Sequence, residues 1–229
     1  MSALSLRLKT IASLVPYGAR VCDVGTDHAR LPIFLEKEHI AKSIIATDLN
    51  RKPLEFAKKN IQKSGASAIS LRLCDGLSDV KKGEADTVIT AGMGGEVITA
   101  ILKNCEWLKS DGITLILQPT TSPEVLRKFL TDNGFIIVKE IPVLENGKIY
   151  SVMLVHFSGE IKNYPDYFYY IGKIKPTGDG LIYIEKQKNR IKDYLNAENT
   201  NGFEEPLHRK YKAVLNDIEK LLTESENGI

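Results

Sequence analysis

Hydrophobic positions in the first 157 residues alternate between two periods. Short apolar runs of strand length are separated by stretches whose apolar residues recur every three or four positions. Residues 5–14 place Leu8, Ile11 and Leu14 on one side of a helix, which the Pro16-Tyr17-Gly18 turn ends. A strand over 20–24 follows and ends in Asp23-Val24-Gly25. Residues 28–37 read as a helix with Pro32 near its start, where early helical N–H groups lack partners anyway. A strand over 43–47 closes on Asp48, and a helix over 52–64 carries Leu54, Ala57 and Ile61 before a Gly65 stop. The strand 69–73 runs into Cys74-Asp75-Gly76. The strand 85–90 opens into a loop, Ala91-Gly92-Met93-Gly94-Gly95, followed by a helix over 97–103. The strand 113–117 precedes a helix over 122–133, with Ser122 as N-cap and Glu124 in its first turn. Two extended runs, 135–144 and 148–157, flank Glu145-Asn146-Gly147, a hairpin signal.

Five β–α repeats closed by a hairpin predict an α/β fold, a mostly parallel sheet with antiparallel strands at one end. Sheets of this kind bind ligands beyond the carboxyl ends of their strands. From Ser158 the texture changes. Residues 164–170 are rich in aromatics, and 176–180 form a loop. Residues 181–196 and 207–222 then carry apolar positions at helical spacing on either side of a break at 199–202. That pattern reads as an antiparallel helical hairpin. Two units are expected: 1–157, carrying the sheet, and 158–229, carrying the hairpin.

Composition narrows the class. Of 229 residues, 43% are hydrophobic and 26% charged, as in ordinary globular chains, and no apolar run reaches the roughly 20 residues of a membrane helix. Three scattered cysteines, Cys22, Cys74 and Cys105, form no CxxC and have no histidine at ligand spacing. Neither a disulfide scaffold nor a structural metal is expected; a cytoplasmic protein with reduced thiols fits. Through Lys63 there are 11 Lys/Arg against 6 Asp/Glu, whereas from Ser158 onward the count is 11 against 12. A basic N-terminal portion suits a polyanion, although a solvated helix surface gives the same count.

The candidate chemistry lies at the predicted strand ends. A dinucleotide site would want GxGxxG after the first strand, so that backbone approaches a pyrophosphate. Here Gly25-Thr26-Asp27-His28 offers one glycine and a carboxylate. Asp27 facing a pyrophosphate is electrostatically wrong; facing a sulfonium or an ammonium group it is right, which favours S-adenosylmethionine over NAD. Asp48, 25 residues after Asp23, is placed to accept from two ribose hydroxyls. Asp75 can accept from an adenine amino group, with Gly76 leaving room for the ring. Each carboxylate alone reads as a turn former. Three on consecutive strand ends of one sheet read as a site.

The runs VCDVGTDHARLPIFL, IATDL, CDGL, ITAGMGGEVI and LILQP, in this order and spacing, resemble the bacterial tRNA (adenine-N1)-methyltransferases that modify adenine 22, the TrmK family. The resemblance implies a Rossmann-like class I S-adenosylmethionine-dependent methyltransferase sheet with a C-terminal coiled-coil-like helical hairpin. It implies tRNA as partner, with N1 of an adenine in the D-arm region as methyl acceptor. Carried over residue by residue, the cofactor positions are Gly25, Asp27, His28, Asp48, Asp75, Gly76, Gly92 and Met93. His28 reads equally as a helix-start residue, and Met93 as a core residue.

Adenine N1 has its own lone pair, so the chemistry needs no protein nucleophile, only alignment, a dry site and tolerance of positive charge. Asp27, for electrostatic stabilisation, and Gln118, for the adenine edge through its amide, are the catalytic candidates. Gln118-Pro119 differs from the Asn-Pro-Pro-Tyr pocket of amino-group methyltransferases. N1 lies on the pairing edge, so the base must be unpaired or extruded against an apolar wall. The aromatics at 164–170 are the nearest stacking candidates, and packing between the two units explains them equally well. A monomer is the favoured state. A methyltransferase for another RNA, a protein or a small molecule, and a non-catalytic RNA-binding scaffold, are the competing readings.

Overall fold

The computed structural model describes residues 4–201 and 205–226. The chain order of elements is α1 (Leu6–Ala12), β1 (Ala19–Val24), α2 (Arg30–Lys37), β2 (Ala41–Asp48), α3 (Arg51–Ser64), β3 (Ile69–Leu73), β4 (Thr87–Gly94), α4 (Gly95–Lys103), β5 (Thr114–Thr121), α5 (Pro123–Asp132), β6 (Phe135–Glu145), β7 (Lys148–Phe157), α6 (Asp166–Ile171), α7 (Asp179–Asn201) and α8 (Glu205–Glu226). The seven strands form one sheet in the order β3-β2-β1-β4-β5-β7-β6. The first five strands of that order, β3-β2-β1-β4-β5, pair in parallel, and β7 runs antiparallel to both of its neighbours. Chain order reverses between β1 and β4, which places a crevice at their carboxyl ends.

Strand β1 is buried at every position but Arg20, as a central strand covered on both faces must be. Gly65 ends α3 in a left-handed conformation, and Asn146 and Gly147 turn the β6–β7 hairpin with φ of 50° and 72°. Both are turn chemistry that the local sequence dictates. The edge strand β6 carries a register slip between Ile137 and Lys139, with Pro142 further along it.

Four expectations change. Helix α2 starts at Arg30, not residue 28, because His28 and Ala29 both adopt positive φ. The expected loop 91–94 is the end of β4, paired with β5 as far as Gly94–Thr121. Ser122 stands at the N-cap of α5, but its φ of 48° points it away from the capping hydrogen bond. Helix α7 runs through residues 199–201, where a break was expected; the rest of that break lies outside the described residues.

Helices α1 and α2 cover one face of the sheet, where Ile11, Val15, Leu31 and Leu35 meet Ile89, Ile116 and Val152. The opposite face has a core continuous from Val24, Leu115, Leu117 and Met153 into Ile184 and Ile191 of α7 and Val214, Ile218 and Leu222 of α8. Phe168, Tyr169 and Tyr170 are buried in that core, which is why residues 164–170 are aromatic; they offer no stacking platform for a base. The texture change at Ser158 is thus crossed by one shared core.

Inside it sits a fully buried ion pair. Arg127 of α5 donates through Nε and Nη2 to Glu140 of β6, at 3.1 and 2.8 Å. Its Nη1 donates to the carbonyls of Tyr169 and Tyr170, at 2.7 and 2.8 Å, and Nη2 to the Tyr183 hydroxyl at 2.8 Å. All the guanidinium donors are therefore satisfied. Burial alone would lower the Arg127 pKa, but the Glu140 carboxylate and the Tyr183 hydroxyl together more than reverse this and keep it charged. Glu140 also accepts from the Lys173 amide at 2.8 Å, and a Cβ at Gly172 would overlap its Oε2. Arg127→Met leaves Glu140 buried without its cation and is expected to cost about 3–5 kcal/mol in urea denaturation. Adding Glu140→Leu should recover part of that loss, since neither charge then remains.

Candidate functional site

The crevice between β1 and β4 is organised by Thr47, a fully buried residue near the end of β2. Its carbonyl accepts from the amides of Gly25 and Thr26, at 2.8 and 2.9 Å. Its hydroxyl donates to the Gly76 carbonyl at 3.0 Å. One side chain and one carbonyl thus tie the ends of β1 and β2 to the segment after β3. Asp48, the next residue, accepts from the Asn50 amide through Oδ1 at 2.7 Å, and its carbonyl accepts from the Cys74 amide. Asp75 follows Cys74 with its side chain exposed. Gly76 has φ of 55° and lies against Ile101, so a side chain there would be both strained and crowded.

Gly25 (φ 74°), just after β1, and Gly92 (φ 82°), near the end of β4, both adopt the left-handed backbone that suits glycine. A Cβ on Gly25 would overlap Met93 Cε, so the glycine is what lets the β4 end approach β1. Asp27 projects outward with its side chain 80% exposed, and its Oδ1 lies 3.1 Å from His28 Nε2. The strained His28 is held by Phe56, whose ring lies 5.3 Å away, and by Asn60, which donates to its carbonyl at 3.0 Å. The structure therefore gathers Gly25, Asp27, His28, Asp48, Asp75, Gly76, Gly92 and Met93 at one edge of the sheet.

Gln118 requires a correction. It is fully buried, and its Oε1 accepts both from the Gly92 amide at 2.9 Å and from Arg7 Nη1. Its Nε2 donates to the Pro119 carbonyl at 2.9 Å. Two donors converging on one atom identify it as the oxygen, so the amide has no free acceptor for an adenine edge. Gln118 instead fixes the β4 end and the N-terminal helix. Arg7 is the residue the sequence reading missed. Its amide donates to Glu145 Oε1 at 2.9 Å, its Nε lies 3.5 Å from Glu145 Oε2, and its guanidinium sits 5.6 Å from the Tyr150 ring centroid. Burial would raise the Glu145 pKa, but the Arg7 amide, the Ser5 hydroxyl and the Arg7 charge together lower it.

Asp23, beneath the crevice in β1, behaves oppositely. Burial pushes its pKa from 3.8 up to about 6, with the Thr26 hydroxyl offsetting part of the effect. Among the described residues no group of three or more His, Cys, Asp or Glu is placed to hold a metal ion, and no helix is long and apolar enough to cross a membrane.

This strand order, with glycines and carboxylates collected at the switch point, defines an α/β methyltransferase domain, and a family model described as "Methyltransferase domain" matches residues 4–153. A curated tRNA (adenine(22)-N(1))-methyltransferase of Bacillus subtilis is 39% identical over 152 residues, covering 66% of this chain and 64% of that protein. Over the whole fold, the crystal structure of the B. subtilis m1A22 tRNA methyltransferase TrmK superposes with a TM-score of 0.83 at 30% identity, covering 98% of this chain and 99% of that one. The M. capricolum TrmK structure, in complex with S-adenosyl-homocysteine, gives 0.79 at 28% identity, covering 96% and 98%. The chain belongs to the tRNA (adenine(22)-N1)-methyltransferase family, TrmK.

The Asp23 shift makes a signed prediction. The unfolded chain loses this proton near pH 3.8 and the folded one near 6, so stability should fall as pH rises through that window, by about 3 kcal/mol, and then level off. Asp23→Asn cannot ionise. Its denaturation midpoints should lack this component, so that the wild-type and variant profiles diverge between pH 4 and 6.

Proposed function

We propose that this chain transfers a methyl group from S-adenosylmethionine to N1 of adenine 22 in tRNA, acting in the cytoplasm. The observation that carries this reading is the continuity of the crevice with a basic groove on α1, α2 and α3. His28 belongs to both. The groove has a volume of about 730 Å³, and Lys9, Arg30, Lys37 and Lys63 line it with Glu38 as their acidic neighbour. Among the described residues none of those four cations pairs with a carboxylate, so their charge is available to phosphates. The helical unit differs. Lys188, Arg190, Lys192 and Lys210 are engaged by Glu185, Glu124, Glu219 and Asp166. We therefore assign most phosphate attraction to the sheet unit, 1–157, and an orienting role to 158–229.

The crevice fits the cofactor chemically. The second oxygen of Asp48 would accept ribose hydroxyls, Asp75 would accept the adenine amino group, and Gly25 and Gly92 would let backbone line the methionine portion. Bound there, S-adenosylmethionine supplies an electrophilic methyl group on a cationic sulfonium. Transfer to the adenine N1 lone pair would break the methyl–sulfur bond and release the neutral thioether, S-adenosyl-homocysteine, so no side chain has to serve as nucleophile and no proton has to leave. The protein aligns and excludes water. Asp27, beside His28, offsets the positive charge that moves onto the base. Gln118 is a positioning residue: it locks Gly92 and Arg7 and thereby shapes the wall the base meets.

Methyl transfer from labelled S-adenosylmethionine to bacterial tRNA, with the product base mapped, tests the reading; N1-methyladenine at position 22 is the expected result. Methylation of a protein or small molecule, with tRNA unmodified, would overturn it. Asp48→Ala removes carboxylate hydrogen bonds worth about 1.5–3 kcal/mol each, so calorimetry should show cofactor affinity at least about tenfold weaker with the fold retained. Asp27→Asn should lower the single-turnover rate more than it weakens cofactor binding.

A further inference from the structure

A second cleft, of about 350 Å³, opens between α7 and the site-facing ends of β5 and β7. None of the residues assigned to the cofactor lines it, yet it is one residue away. Thr120, in its wall, donates to the Met93 carbonyl at 3.0 Å. The cleft is polar in a way that packing does not explain. Ser151 of β7 and Gln187 of α7 are 1% and 2% exposed, and neither Ser151 Oγ nor Gln187 Oε1 has a hydrogen-bond partner in the protein. Arg190 Nε, in the same wall, has none either. A buried unpaired polar atom destabilises a fold, so three lining one cleft point to a ligand that satisfies them.

Its chemistry can be read from what is missing. Gln187 Oε1 needs a donor, Arg190 Nε needs an acceptor, and Ser151 Oγ takes either role. Nucleobase edges present donors and acceptors side by side in this way. Tyr194, 43% exposed, supplies aromatic surface beside them. The charge is positive: Arg190 is paired with Glu124 at 2.7 Å, whereas among the described residues Lys186 Nζ donates to the Ile149 carbonyl, at 3.1 Å, and pairs with no carboxylate. Burial, and then the charges of Arg190 and Lys148, lower the Lys186 pKa, a strain that an incoming anion relieves. A base edge, an aromatic wall and an uncompensated cation together describe one nucleotide.

We propose that this cleft holds an unpaired nucleotide flanking the methylated adenine, with its base edge on Gln187, Ser151 and Arg190 Nε and its phosphate at Lys186. The inference rests on the tRNA reading above. It gives α7 a specific duty: to fix the extruded strand on the far side of the target.

The test is the double variant Ser151→Ala with Gln187→Leu, which removes the unpaired atoms while keeping apolar volume. Thermal unfolding should be unchanged or slightly higher, and calorimetric S-adenosylmethionine affinity should stay within about twofold. With wild-type tRNA transcript as substrate, KM should rise by about tenfold. The second arm uses transcripts with an abasic residue on the 5′ or the 3′ side of the target. One of them should weaken wild-type methylation while leaving the double variant no worse than on intact transcript. An unchanged KM, or equal losses on both abasic substrates for both proteins, would overturn the cleft assignment while leaving the tRNA reading intact. Absence of methyl transfer to tRNA by the wild-type protein would instead overturn that reading and this inference with it.

Discussion

The structure depends most on a charge that has been taken out of water. Arg127 is stable in the interior only because Glu140, two backbone carbonyls and the Tyr183 hydroxyl all reach it. Those partners come from β6, α6 and α7, so the guanidinium is satisfied only when the helical unit is seated on the sheet. Hydrophobic contact alone tolerates small slides between packed surfaces; a guanidinium fork with fixed donor directions does not. The angle at which α7 leaves the sheet is thereby set, and with it the position of Gln187 and Arg190 beside the β5 end.

A second constraint operates at the opposite face. Gln118 and Glu145 hold Arg7, so the first helix is tethered across the ends of β4, β5 and β6. Thr47 ties the ends of β1, β2 and the segment after β3. The cofactor crevice is framed by these two tethers, while the groups proposed to meet ligand (the outer oxygen of Asp48, Asp75 and Asp27) are left toward solvent. Rigid support beneath and free acceptors above is the arrangement a site needs if binding is not to distort it.

What the sequence revealed and what it hid divide by range. Gly65, the Asn146-Gly147 turn and the strand of residues 69–73 were legible because each is specified by its immediate neighbours. The strand-end glycines and carboxylates were legible as a set, since a parallel sheet sends every such loop to the same edge. Gln118 was misread because its partner Arg7 lies 111 positions away, and no periodicity announces that contact. Arg127 drew no notice for the same reason, its partners being 13, 42, 43 and 56 positions distant. His28 and Ala29 delay the start of α2 because Asn60 and Phe56, on another helix, hold the left-handed turn. The run 91–94 looked like a loop on composition, but pairing with β5 made it strand.

The slip in β6 has a consequence beyond its own geometry. Strand β6 is an eleven-residue edge, long enough to template a foreign strand. Between Ile137 and Lys139 the ladder loses register, and Val138 is turned outward at 45% exposure. Pro142 then contributes no N–H, and Lys139 leaves an exposed charge on this border strand. At the other border, β3 has only five residues to offer. Both borders of the sheet thus resist annealing to another copy, so the crevice at the strand ends stays open while the hydrogen-bonding edges are kept from being claimed by aggregation.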